Sequence, residues 1–165
     1  MIRIALMVLL FGCSGYLGFQ SAKAYENKQK FFADLISFIK SIKNEISFLK
    51  TDLFSILNKY EYTSVLNIIL IDFKQKLKNK KLSQNEINEI LDKNINLNEI
   101  QKNTICEMFF ELGNIGYLEQ IERLNYYIDF FNMEFEKSRS KTDKMAPFCK
   151  KIGFLVGMLV CIVLI

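Results

Sequence analysis

Histidine and tryptophan are absent from this 165-residue chain, and proline occurs once. Without histidine there is no zinc site of the common His-containing kinds, no His-based triad and no His general base. One proline and seven glycines disfavour turn-rich β structure and favour long helices. Phosphate-loop and dinucleotide glycine patterns are missing, as are HExxH and GxSxG. Cys13, Cys106, Cys149 and Cys161 form no CxxC pair and read as small hydrophobes in a reducing compartment. The net charge of +4 is too mild to indicate nucleic acid. The expectation is a protein that is not an enzyme and holds no cofactor or metal.

Half of the residues are hydrophobic and 24% are charged, and the two ends hold much of the apolar excess. Residues 4–19 carry no charge. At 1.5 Å per residue they fall slightly short of a hydrocarbon core of about 30 Å. Extension to Ala24 makes them long enough if Lys23 snorkels. The closing stretch, residues 152–165, lengthens back to Ala146 if Lys150 and Lys151 reach for headgroups. A membrane helix is expected over residues 1–24 and a second over 146–165.

The first segment also fits a cleaved signal peptide, a buried helix or a lipoprotein signal, because Leu10-Phe11-Gly12-Cys13 is lipobox-like. The alternative to a two-segment membrane protein is therefore a lipidated or secreted helical binding protein processed at Cys13. Lys23, Lys28 and Lys30 follow the first segment, and Lys141, Lys144, Lys150 and Lys151 precede the second. By the positive-inside rule the central region is cytoplasmic. Gly153 and Gly157 form GxxxG, with Gly15 and Gly18 in the first segment. Small residues let helices approach in lipid, so a contact is expected between the two segments or between copies in a homo-oligomer.

Between the ends, apolar residues recur at helical spacing. Phe31, Leu35, Phe38, Ile39, Ile42, Ile46 and Leu49 mark the first stripe. A short helix is expected over 52–60, behind Thr51. Thr63 or Ser64 caps a third, whose dense apolar start predicts the most buried helix. Ser83-Gln84-Asn85-Glu86 reads as a capping box, and Asn96-Leu97-Asn98-Glu99 repeats its logic. The next helix is expected to bury Leu97, Ile100, Ile105, Met108, Phe109 and Leu112, and to stop at Gly113. The last, over 117–141, carries Ile121, Leu124, Ile128, Phe131 and Phe135, with a break near Pro147. The predicted fold is all-α: an antiparallel bundle of about six helices over 27–141 between two membrane helices.

Glu107 and Glu111 lie four apart on one helix, and Glu119 and Glu122 follow. They read either as a solvated acidic face or as docking points for a basic partner. Lys74, Lys76, Lys78, Lys80 and Lys81 favour a helix C-terminus and its loop, or else hold anionic lipid or nucleic acid.

Several residues resemble those of the stage III sporulation protein AB family of endospore-forming bacteria. The run from Lys151 through Gly153-Phe154-Leu155 and Gly157 to Leu159 is similar to that family's terminal K-x-G-F-L-x-G-hydrophobic signature. Gly18-Phe19, Ala22-Lys23 and Tyr25 resemble its G-(F/Y)-x-x-A-x-x-Y pattern. Ile42, Asn44-Glu45-Ile46 and Leu53 look like its L-x-x-E-I stretch, and Phe110-Glu111-Leu112-Gly113 resembles its F-G-x-x-L-G region in position. The resemblance implies a part in the channel between mother cell and forespore. It also implies a soluble part similar to the platform protein of type II secretion and type IV pilus machines, which sits above a hexameric ATPase. The implied partners are the channel's AA ATPase, other channel membrane proteins and the bilayer of the mother-cell membrane, with no nucleic acid.

Overall fold

The computed structural model describes residues 2–49, 65–78, 84–112 and 116–164. Among these residues there are five helices and no strand. They are α1 (Ile2–Leu49), α2 (Val65–Lys78), α3 (Gln84–Asn94), α4 (Glu99–Glu111) and α5 (Tyr117–Leu164). The expected helix over 52–60 lies outside the described residues, as do Thr51, Thr63, Ser64, Ser83, Gly113, Lys80 and Lys81.

α1 and α5 are each 48 residues long, about 72 Å at the α-helical rise. α1 joins the expected N-terminal segment to the first bundle helix without interruption. Residues 20–30 contain no glycine or proline and are rich in Ala, Lys, Glu and Gln, which favour helix. The break expected near Pro147 does not occur, because α5 runs through it. Proline removes one amide donor, that for the carbonyl of Asp143. Pro147 sits on the exposed side, while its neighbour Ala146 is buried. Packing of the opposite side keeps the helix continuous.

The chain forms two compact units, Met1–Gln29 with Glu136–Ile165, and Lys30–Phe135. The second unit holds the core. Phe31, Phe32, Leu35, Phe38, Ile39 and Ile42 of α1 are fully buried, a wider stripe than the three-and-four spacing marked. Phe32 stacks on Phe131 of α5 at 6.2 Å, and Phe38 meets Phe109 of α4 at 6.3 Å between ring centroids. Leu66, Ile69 and Leu70 of α2, Ile87, Ile90 and Leu91 of α3, and Ile105 and Met108 of α4 complete it. Leu124 and Ile128 of α5 are buried as expected, and Phe135 packs against the core half-buried.

Three expectations are corrected. α2 is not the most buried helix: Ile68 and Ile71 are 50% and 45% exposed, so only one side faces the core. Ile100 is exposed, not buried. The cap of α4 is Asn98, two residues later than the repeated capping logic placed it. Its side chain accepts from the Gln101 amide, and Gln101 answers on the Asn98 amide. That register turns Ile100 outward and Gln101 inward.

Candidate functional site

The first unit is a pair of antiparallel helix arms whose seam is built from small residues. On α1 the seam residues are Phe11, Ser14, Gly18, Ala22 and Tyr25, and on α5 they are Ser138, Thr142, Ala146, Cys149, Gly153 and Gly157. Steps of three and four keep each set on one helix side. A methyl group added at Gly18 would lie 2.7 Å from the Cys149 carbonyl oxygen and 2.9 Å from the Gly153 Cα. One added at Gly153 would lie 2.9 Å from the Gly18 Cα and from the Ser14 carbonyl oxygen. Only glycine allows backbones this close.

Gly157 makes room for the Phe11 ring, which also meets Phe154 edge-on at 5.4 Å. Polar groups on the seam are satisfied locally. Ser14 Oγ donates to the Gly153 carbonyl at 2.6 Å, and Thr142 Oγ1 lies within reach of the carbonyls of Ser138 and Tyr25. Lys150 meets Glu26 at 3.0 Å and lies 5.6 Å from the Phe19 ring centre.

Away from the seam, residues 8–19 and 152–163 of this unit expose only uncharged side chains. Val8, Leu9, Leu17, Phe19, Phe154, Leu155, Leu159 and Val163 are all exposed. The helix over Leu118–Val163 contains a window long and apolar enough to cross a membrane, and 17% of that window is buried within the protein. Gly153 lies against Gly18 and Ser14 of the first segment, and Gly157 against Phe11. Gly18 joins them, whereas Gly12 and Gly15 have nothing within contact distance. Ser14 and Thr142 are not singled out in the sequence, and Ala22 and Ala146 not as contact points, although their three-and-four spacing with the glycines is the signal for it.

In the second unit the predicted carboxylates separate by role. Glu107, Glu119 and Glu122 are exposed. Glu111 is half-buried, accepts from the Tyr127 hydroxyl at 2.6 Å and meets Arg123 at 3.5 Å. Burial first, then the hydrogen bond to Glu111, pushes the Tyr127 phenol well above its usual range. Glu111 thus has a structural use, tying α4 to α5. Lys74 is half-buried, and the side chains of Lys76 and Lys78 lie outside what the structure describes.

α4 is further tied by Gln101, whose amide nitrogen donates to the Glu134 carboxylate of α5. Lys102 bridges Asp92 of α3 at 2.8 Å and Glu99 at 2.9 Å. These two contacts, Asp92 first, hold its ammonium above the usual lysine value. The Cys106 thiol is pushed up to about 11, chiefly by burial and then by Glu107. It donates to Asn88 at 3.1 Å, so it is a core group and not a nucleophile poised for attack. Cys13, Cys106, Cys149 and Cys161 form no disulfide among the described residues. No group of three or more metal-ligating side chains is found among the described residues.

A small-residue seam in an apolar helix pair is the setting in which the terminal glycine signature sits. A family model for stage III sporulation protein AB matches residues 3–165. The chain belongs to this family. Membership gives it a role in sporulation, in a family of structural components. No curated protein and no solved structure gives a significant match to the chain. The family's terminal glycines are, in this chain, the close-contact points of the seam.

Proposed function

We propose that this protein is a non-enzymatic membrane platform of the secretion-like channel between mother cell and forespore, required for endospore formation. Both arms of the first unit cross the mother-cell membrane and the helical unit lies in the cytoplasm, where it recruits or anchors the channel's AA ATPase. The observation that carries this is the Gly18–Gly153 seam with apolar side chains turned outward around it. Water is a poor solvent for that surface, and lipid covers it without cost. The lysines at residues 23, 28, 141, 144, 150 and 151 favour a cytoplasmic position for the ends of the arms nearest them.

Retention of the first segment is favoured over processing at Cys13. Phe11 fills the space beside Gly157 and Phe154, and cleavage before Cys13 would remove it. Mass spectrometry of the mature N-terminus separates the two: an intact start fits the platform, whereas a lipid-modified Cys13 fits the alternative.

The decisive experiment is deletion of the gene with heat-resistant spore counts and microscopy. Arrest around engulfment with a small or collapsed forespore is expected, and normal spore formation would remove the channel role. Recruitment is tested separately. Reversal of Glu119 and Glu122 together, or of the lysines at 74, 76 and 78, is expected to weaken association with the AA ATPase. Unchanged association would exclude those surfaces.

A further inference from the structure

The side of α5 that turns away from the bundle core carries a line of large side chains. Leu118, Glu122, Tyr126, Asp129 and Met133 follow one another at steps of four, four, three and four, which is one helix side. The opposite side buries Leu124, Tyr127 and Phe131. Leu118, Tyr126 and Met133 are 76%, 53% and 57% exposed. A single exposed apolar residue needs no explanation, but three in a row along about 22 Å of helix do.

Tyr and Met are favoured at the centres of protein interfaces, and Met adapts its shape to a partner. The charges interleaved with these residues are carboxylates. Glu122 and Asp129 interleave with them, and Glu119 is exposed beside Leu118. On α4, Glu107 and Glu111 act on the neighbouring Tyr127. Arg123 flanks the line and is engaged by Glu111.

We propose that this acidic, apolar-knobbed side of α5 is the docking site for a basic amphipathic helix of the cytoplasmic ATPase. Its apolar stripe takes Leu118, Tyr126 and Met133, and its Lys or Arg residues meet Glu122 and Asp129. The line suits a partner helix of about 15 residues. Charge selects this occupant over two others. A second copy would set carboxylates against carboxylates across a two-fold contact. An anionic membrane surface would repel the same groups. The inference rests on the platform role and adds where on the platform the ATPase sits and by what chemistry.

The test uses the full-length protein in nanodiscs and the purified AA ATPase, with binding followed by biolayer interferometry at several salt concentrations. Two double variants remove the two components of the site: Tyr126→Ala/Met133→Ala, and Glu122→Lys/Asp129→Lys. Glu89→Lys/Asn103→Lys, at exposed positions of α3 and α4, is the control. Circular dichroism and thermal unfolding verify that each variant keeps its fold; all six positions are exposed.

Both site variants are expected to bind at least tenfold more weakly, and the charge variant to lose much of the salt dependence. The control is expected to stay within twofold of the wild type. Wild-type binding with undiminished binding by both site variants overturns the docking site and leaves the platform role intact. Failure of the wild type to bind removes the platform role, and the docking site falls with it. A change of oligomeric state in the site variants, read by light scattering with ATPase binding unaltered, assigns the surface to a second copy instead.

Discussion

At the scale of single residues, the glycines of the first unit are not equivalent. Gly18 and Gly153 face each other's backbone, whereas Gly12 faces open space. Gly153→Ile is expected to destabilise the detergent-solubilised protein by about 1–3 kcal/mol, the usual cost of overpacking, and to separate the arms. Gly12→Ala is expected to leave stability unchanged or slightly raised, since alanine is the better helix former. Thermal unfolding of the two variants side by side checks both signs. Gln101 serves two helices at once, as the reciprocal member of the Asn98 cap and as a donor to buried Glu134. Gln101→Ala is expected to cost about 1–3 kcal/mol, read by denaturant titration, because it removes a cap and a charge-assisted hydrogen bond together.

At the scale of elements, the two long helices are the distinctive feature. Each combines an amphipathic bundle segment and an apolar arm without a stop, since neither junction contains the residues that end helices. Pro147 is the exception by type, and it survives because one side of α5 is held at Thr142, Ala146 and Gly153. Pro147→Ala restores one backbone hydrogen bond. It is expected to raise stability, by up to about 3 kcal/mol if the local backbone relaxes fully. A rise in unfolding temperature with unchanged helix content checks it. α4 behaves differently: it is short, and its orientation depends on side chains from other helices. Its exposed Ile100 and buried Gln101 invert what hydropathy alone predicts, because the Asn98 cap fixes the register.

At the scale of the whole molecule, three titrating groups of the bundle share one direction. Cys106, Tyr127 and Lys102 all hold their protons more tightly when folded, through burial for the first two and hydrogen bonds donated to Asp92 and Glu99 for the third. Near neutral pH both folded and unfolded chains keep these protons, so the corresponding stability is fully present. Above the ordinary thiol value of 9.0 the unfolded chain releases the Cys106 proton, while the folded chain holds it until about 11. The folded state then binds more protons than the unfolded one, and stability falls as pH rises. Denaturant midpoints are expected to be level near neutrality and to decline from about pH 9 towards 11. Cys106→Ala should lessen that slope.

Composition and periodicity determined the all-helical class, the core stripe of α1 and the segregation of apolar residues to the ends. These depend on local backbone preference and on spacing along one chain, which a sequence contains in full. The family resemblance was equally legible, since the terminal glycine signature is a linear pattern. Three things were decided only by the tertiary structure. Gly18, not Gly15, meets Gly153, because the partner's position selects which small residue comes into contact. Pro147 stays helical because packing on one side outweighs one missing hydrogen bond. Glu111 is engaged by Tyr127 and Arg123, whereas Glu107, Glu119 and Glu122 stand exposed, a division set by which residues of α5 come to rest beside α4. Each depends on distances between residues far apart in the chain, and periodicity carries no information about those.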